Sequence, residues 1–127
     1  MTVLDASALL AFVLEEPGAD KVEDLLADGV LLTVNASEIA RRLIRAEWEP
    51  EQCRRWLLDT QVRVVPFDYE LAIATAAIEP VTRGRGLSLG DRGCLALGMR
   101  LRRPVATADR EWKGLEDALG IEVVLIR

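Results

Sequence analysis

The sequence predicts a three-layer α/β/α sandwich with a central parallel sheet of about five strands. Short β-branched and aliphatic runs alternate along the chain with amphipathic segments that are long enough for helices. Helical connections between strands imply right-handed crossovers in a parallel sheet with helices on both faces. The strand runs are apolar throughout, as expected for strands buried on both sides. A length of 127 residues suits one domain, so we expect residues 1–127 to form a single unit.

The first half of the chain contains two predicted strands and four predicted helices. After a short opening strand, apolar residues recur at helical spacing and stop before Pro17. A fully apolar run is typical of a buried second strand, and Pro50 stands where it favours the first turn of a helix. In order, the predicted elements are strand 2–4, helix 6–14, helix 19–27, strand 30–34, helix 37–47 and helix 51–58.

The second half contains three predicted strands and three predicted helices. Asp68 is expected to cap a helix that Pro80 ends or kinks, and the glycines on either side of Arg85 predict a turn. The tetrapeptide 88–91 is a capping-box-like start for the next helix, and Gly120 ends the last one. In order, the predicted elements are strand 62–66, helix 68–78, helix 92–101, strand 104–107, helix 110–119 and strand 121–126.

The composition excludes several classes of function. The chain has no histidine, which removes serine and cysteine catalysis through a histidine base and most zinc sites. Cys53 and Cys94 lie far apart without a CxxC pattern, so we expect two reduced thiols. The longest apolar run, residues 6–14, is too short to cross a bilayer and lacks the marks of a signal peptide. We therefore expect a soluble, cytoplasmic protein with no membrane contact.

The distribution of charge is more informative than the net charge of −5. Between residues 80 and 110, the only acids are Asp91 and Asp109, and this segment carries a cluster of arginines. Such a locally basic segment suits contact with phosphate, although a solvated helix face would explain the arginines equally well. The arginines of the cluster are Arg83, Arg85, Arg92, Arg100, Arg102, Arg103 and Arg110.

Four acidic residues stand where a predicted strand ends or a predicted helix begins. Asp5 follows the first strand, and Asp109 follows the fourth by two residues. Glu38 and Asp91 fall in the first turns of their helices. Open parallel sheets bind ligands outside the carboxyl ends of their strands, near the point where strand order reverses. We expect the four acids to converge there, although each alone is also explained as a helix cap or a complement to the helix dipole.

Neighbouring residues favour one shared site over four separate caps. Ser7 and Thr107 each stand two residues from an acid, and Glu38 interrupts an otherwise apolar helix face. Carboxylates crowded together repel one another unless a cation is present. Mg²⁺ or Mn²⁺ prefers oxygen ligands and can activate water against a phosphodiester bond. The sequence therefore predicts a metal-dependent hydrolase whose chemistry needs no histidine.

Four segments resemble the successive motifs of PIN domains, and in particular those of VapC-type toxins from bacterial toxin–antitoxin pairs. The resemblance runs in order from Thr2 to about Val124. Pro80 departs from it, because that region is usually uninterrupted helix, and the acidic composition is unusual for an enzyme that acts on RNA. The segments are VLDASALL (3–10), NASEIA (35–40), LSLGDR (87–92) and ATADREW (106–112).

The resemblance implies an endoribonuclease that uses Mg²⁺ or Mn²⁺. Asp5, Glu38 and Asp91 would hold the main ion, and Asp109 would complete the site or hold a second ion. The resemblance also implies a homodimer, and an antitoxin protein that blocks the active-site groove. The residues with supporting roles would be Ser7, Asn35 and Thr107. Arg92 and Arg110 stand next to two of the acids, and each is a candidate either for phosphate contact or for a surface role only.

Other classes of protein fit the sequence less well. A phospho-acceptor domain would need a lysine after a late strand, and the only lysines are Lys21 and Lys113. A dinucleotide-binding domain would need a glycine-rich turn where residues 5–7 stand. Two alternatives remain within the PIN family: a housekeeping RNA-processing nuclease without an antitoxin, and a non-catalytic binding module that has kept all four acids.

Overall fold

Residues 1–127, which the computed structural model describes, form five parallel strands in one sheet, as predicted. The strands are β1 (Thr2–Leu4), β2 (Gly29–Leu32), β3 (Arg63–Val65), β4 (Val105–Thr107) and β5 (Val123–Leu125). Their order across the sheet is β3-β2-β1-β4-β5. The chain therefore moves outwards from β1 to one edge and then crosses to build the other, so strand order reverses beside β1, where β4 pairs with it.

Eight α-helices and two short 3-10 helices connect and cover the strands. No helix is long and apolar enough to span a membrane. The helices are α1 (Ala6–Val13), α2 (Ala19–Glu23), α3 (Thr33–Arg45), α4 (Pro50–Asp59), α5 (Tyr69–Ala77), α6 (Glu79–Thr82), α7 (Leu89–Leu101) and α8 (Glu116–Leu119), and the 3-10 helices are Leu26–Asp28 and Arg110–Leu115.

The apolar side chains form two cores, one on each face of the sheet. Val3 points into the core formed with α5, α7 and α8, whereas Leu4 points into the core formed with α1 to α4. Leu31 and Leu32 divide in the same way. Adjacent residues of a strand face opposite sides, so a strand covered on both faces must be apolar at every position. These two cores confirm the predicted three layers.

The boundary between β2 and α3 differs from the prediction. The expected strand extends to residue 34, but β2 ends at Leu32 and α3 begins at Thr33. An apolar, β-branched run does not by itself distinguish strand from helix. The tertiary contacts decide it here: pairing with β3 stops where Leu32 meets Val65, and Thr33 Oγ1 then accepts a hydrogen bond of 2.9 Å from the Phe67 N–H. Glu38 therefore lies beyond the first turn of its helix, contrary to the prediction.

Three other helices differ in extent or type. The predicted helix 19–27 ends at Glu23 and is followed by the 3-10 helix Leu26–Asp28. The helix predicted at 92 begins at Leu89, and the one predicted over 110–119 is 3-10 as far as Leu115. In that segment Trp112 and Leu115 are buried, and their spacing of three residues suits a 3-10 turn. Pro80 ends α5 as predicted and stands in the first turn of the short α6.

Candidate active site

Asp5 occupies the carboxyl end of β1, at the reversal of strand order. Its backbone N–H donates to Ala106 O at 2.9 Å, which ties it to the end of β4. Asp5 is the N-cap residue of α1, but its side chain makes no capping hydrogen bond. The cap explanation therefore fails for this residue, and its carboxylate is free for another purpose. Of the 21 acidic residues of the chain, Asp5 is the only one that is buried.

Two hydroxyl groups orient the Asp5 carboxylate. Ser7 Oγ donates to Asp5 Oδ2 at 2.6 Å, and Thr107 Oγ1 donates to the same oxygen at 2.9 Å. Each hydroxyl in turn accepts a backbone N–H, Ser7 from Ala108 and Thr107 from Asp109, both at 3.0 Å. A backbone N–H can only donate, so each hydroxyl keeps its own proton for Oδ2. The loop after β4 thus holds the carboxylate that follows β1.

The second oxygen of this carboxylate has no partner. Asp5 Oδ1 is buried and accepts no hydrogen bond. Burial raises the pKa of Asp5 to about 6, and the charge of Asp91 also raises it, while the hydroxyls of Ser7 and Thr107 oppose these effects. A buried acceptor without a donor is uncommon in folded proteins, because it loses its water without replacement. Asp5 Oδ1 is therefore the natural position for a cationic ligand.

Glu38 reaches the same region from α3 because α7 passes close beside it. A Cβ atom added at Gly90 would lie 2.6 Å from Glu38 Cδ and 2.8 Å from its Oε2, so only glycine leaves room for this carboxylate. Asn35, buried on the same helix, donates from Nδ2 to Gly90 O at 3.2 Å and fixes the approach of the two helices. Burial raises the pKa of Glu38, and the charge of Asp91 adds to this rise, whereas Arg41 and Asn35 lower it.

Asp91 is both a cap and part of the site. Its Oδ2 accepts from the Ser88 N–H at 2.9 Å, and Ser88 Oγ accepts from the Asp91 N–H at 3.1 Å, which completes a capping box at the start of α7. The predicted cap is thus present. This bond occupies one carboxylate oxygen, and the side chain is half-buried against the same cleft as Asp5 and Glu38.

One open cleft of about 330 Å³ contains all three carboxylates. The same three charges act on the buried thiol of Cys94, whose pKa is held well above its ordinary value, first by burial and then by Asp5, Asp91 and Glu38. Both cysteines are free, as predicted, and both are buried. The residues that line the cleft are Asp5, Ala6, Ser7, Leu10, Glu38, Arg41, Arg42, Ser88 and Asp91.

The donor set of this cleft suits a hard divalent cation. It offers carboxylate and hydroxyl oxygens, no nitrogen or sulfur ligand, and an orphaned oxygen on Asp5. The rise in the pKa of Asp5 and Glu38 caused by Asp91 is the repulsion that such an ion would relieve. No three acidic or cysteine side chains are already arranged as a ligand cluster. The residues fit an ion held by a few carboxylates together with water, which is the usual manner for Mg²⁺.

Asp109 is not brought into the cleft with the other three acids. It is exposed, and its Oδ1 accepts from the Glu111 N–H at 3.0 Å as the N-cap of the 3-10 helix. Its connection to the site is through its backbone, because its N–H holds Thr107 Oγ1. The cap explanation that the sequence left open therefore describes the side chain of Asp109.

The arginines at the cleft are not those expected from the sequence. Arg110 is exposed and lies outside the cleft, and Arg92 directs its Nε to Ser88 O at 3.4 Å. Arg41 and Arg42 line it instead. They follow Glu38 by three and four residues, the spacing that places side chains on one helix face. That spacing is visible in the sequence and was the signal that could have identified them.

Comparisons with known proteins agree with this fold. The model of the PIN domain family matches residues 2–117. A toxin–antitoxin complex from Klebsiella pneumoniae contains a chain with a TM-score of 0.76 and 18% identity, covering 100% of this chain and 98% of that one. FitAcB from Neisseria gonorrhoeae gives a TM-score of 0.69 and 20% identity, covering 99% and 98%.

A third solved structure, VapBC-5 from Mycobacterium tuberculosis, gives a TM-score of 0.63 and 20% identity and covers 98% of this chain and 97% of that one. It is described as a member of the VapBC family of toxin–antitoxin systems. At such identities the likeness concerns the fold. No curated protein matches the sequence.

Proposed function

The chain belongs to the PIN domain family, and on that premise we propose that it is a ribonuclease that hydrolyses RNA phosphodiester bonds with a bound Mg²⁺ or Mn²⁺. The observation that carries the proposal is the buried carboxylate of Asp5, whose unpartnered oxygen shares a cleft with Glu38 and Asp91. A buried and uncompensated acceptor costs stability, so its presence favours a functional role over a structural one.

Asp5, Glu38 and Asp91 are the residues that would hold the ion. A divalent cation held there would supply Lewis-acid activation of water and would neutralise charge on the phosphodiester. Ser7 and Thr107 restrain Asp5 by occupying its Oδ2 and leaving Oδ1 available. Gly90 and Asn35 keep Glu38 beside Asp91 by allowing and fixing the contact between α3 and α7.

For Asp109 we propose a positioning role in place of the ligand role that the resemblance implies. Its backbone N–H orients Thr107, and its side chain caps the 3-10 helix that follows β4. The carboxylate is therefore not required for the main ion. An isosteric amide at this position would keep both interactions, which allows the two roles to be distinguished by substitution.

In the cell we propose that the protein acts as the toxin of a VapC-type toxin–antitoxin pair, as a homodimer that a small antitoxin protein blocks. Support comes from the fold that the chain shares with chains of solved toxin–antitoxin complexes over nearly its full length. Expression without the antitoxin is then expected to arrest growth, and Asp91→Asn to relieve the arrest. If wild type and variant are equally harmless, the protein is a PIN nuclease of the housekeeping kind or a binding module.

The direct test is cleavage of single-stranded RNA by the purified protein. Mg²⁺ or Mn²⁺ should support cleavage and EDTA should abolish it, while Asp5→Asn should lower the rate roughly 100-fold or more. The matched control is Asp117→Asn, the same chemical change at an exposed position of α8. Cleavage that survives both EDTA and Asp5→Asn would exclude a metal–carboxylate mechanism.

A further inference from the structure

Arg41 and Arg42 differ from the other arginines of the chain in their position. Both are exposed side chains of α3, and both line the cleft that holds the three carboxylates. Neither forms an ion pair within 4.0 Å, although acidic residues share the cleft with them. The arginines that do form ion pairs with side chains are Arg54, Arg83, Arg100 and Arg127, all outside the cleft.

A purely structural role explains these two arginines only in part. Arg42 lies in the last turn of α3, where a positive charge complements the helix dipole. Arg41 lies outside that turn and has no hydrogen bond from its side chain to any protein group. The charge of Arg41 nonetheless acts on the site, because it lowers the pKa of Glu38. Two unpaired guanidinium groups thus border one side of the carboxylates.

The charge of the cleft changes sign when a divalent cation is bound. The three carboxylates outnumber the two guanidinium groups by one, so the cleft without a cation repels a phosphate. With a divalent cation bound, the cleft carries one net positive charge, which one phosphodiester group neutralises. The arginines therefore make the loaded cleft attractive to a nucleic acid backbone even though the whole chain carries a net charge of −5.

We propose that Arg41 and Arg42 bind the phosphate backbone of a single-stranded RNA beside the scissile linkage, on the α3 side of the cleft. The inference rests on the proposed function and adds the direction in which the bound RNA strand extends from the scissile linkage. Guanidinium groups donate to phosphate oxygens without reading bases, so these contacts strengthen binding to all sequences alike. They account for RNA binding by an acidic protein, and they replace Arg92 and Arg110 in that role.

The test measures binding separately from cleavage. A short, fluorescein-labelled single-stranded RNA of mixed sequence is titrated with protein in an Asp5→Asn background with EDTA present, so that the RNA stays intact. The cleft of this variant carries two carboxylates against two guanidinium groups. Removal of one guanidinium–phosphate interaction should reduce the slope of log Kd against log salt by about 0.7, so Arg41→Gln together with Arg42→Gln should reduce it by about 1.4. Kd at low salt should rise about tenfold in the double variant. Arg41→Lys should retain the slope, because a lysine keeps the charge.

Arg55→Gln is the matched control, since Arg55 is an exposed, unpaired helical arginine outside the cleft. It should leave both Kd and slope unchanged, and equal losses in control and double variant would overturn the inference. With Asp5 restored, the double variant should raise KM for RNA and keep kcat. An unchanged slope in a protein that cleaves RNA with metal refutes the arginine contacts and leaves the nuclease intact. A reduced slope in a protein that never cleaves RNA refutes the nuclease and supports the contacts.

Discussion

Substitution of Gly90 by alanine tests whether the close approach of α3 and α7 positions Glu38. A Cβ atom at this position would overlap the Glu38 carboxylate, with 2.6 Å to Cδ and 2.8 Å to Oε2. Glu38 Oε1 lies closer still to this Cβ atom. Ordinary contact begins near 3.4 Å, so the carboxylate has to retreat by more than about 1 Å. Glu38 is only half-buried, so it can turn towards solvent while the two helices stay in place.

The expected effect on activity is much larger than the effect on stability. A displacement of about 1 Å in a catalytic group costs roughly 100-fold in rate, equivalent to about 2.7 kcal/mol in the activation barrier. Alanine in a helix is favoured over glycine by up to about 1 kcal/mol, which offsets the cost of moving one flexible side chain. We therefore expect kcat/KM for RNA to fall about 100-fold while the free energy of unfolding changes by less than about 1 kcal/mol.

The assay combines RNA cleavage in Mn²⁺ with chemical denaturation of the same preparations. Gly114→Ala is the control, because a Cβ there meets only Arg85 Nη1 at an ordinary 3.6 Å. Glu38→Gln provides a double-mutant cycle. Since both changes remove the same carboxylate from the site, Glu38→Gln with Gly90→Ala should be no slower than Glu38→Gln alone.

Two results would refute the reasoning. Wild-type kcat/KM in Gly90→Ala would mean that the position of Glu38 beside α7 is not needed for catalysis. A loss of several kcal/mol in the free energy of unfolding would mean that α3 and α7 move apart to accommodate the methyl group, and that the Glu38 side chain does not simply turn away.

Three further predictions concern the other acids and the hydroxyl groups. Thr107→Val removes a donor to Asp5 Oδ2 and the acceptor of the Asp109 N–H, and should lower the free energy of unfolding by about 1 to 3 kcal/mol; a change near zero would contradict the buried network. In EDTA, the Asp5 pKa of about 6 lies above its ordinary 3.8, so this residue stabilises the fold below about pH 4 and loses that contribution as pH rises through 6. The loss is roughly 3 kcal/mol and should be missing from denaturation curves of Asp5→Asn; parallel pH dependences of the two proteins would contradict it. Asp109→Asn should cleave RNA within a few-fold of wild type, because an amide oxygen also caps a helix, whereas a loss as large as that of Asp5→Asn would assign Asp109 to the metal site.

The sequence was sufficient for the layers of the fold, and three of the four acids that it singled out line one cleft. Strands that are apolar at every position predict burial on both faces, and helices between them predict parallel pairing. Asp5 follows a strand, and Asp91 stands in the first turn of a helix that leads to the next strand, so both positions in the chain indicate the edge where parallel strands end. Glu38 lies in the cleft although the predicted boundary between β2 and α3 was wrong, because α3 still begins at that edge of the sheet.

The boundary at Thr33, the location of Asp109 and the identity of the arginines in the cleft were decided by tertiary structure. Thr33 is helical because pairing between β2 and β3 ends before it, and no local preference in an apolar, β-branched run indicates this. Arg92 and Arg110 were singled out because they are next to acids in the sequence. Arg41 and Arg42 line the cleft instead, because they lie on the same face of α3 as Glu38. The sequence alone determined which elements form and at which edge their acids lie. Which carboxylates share one cleft depends on helix packing. Glu38 fits beside α7 only because Gly90 has no side chain to occupy the same space.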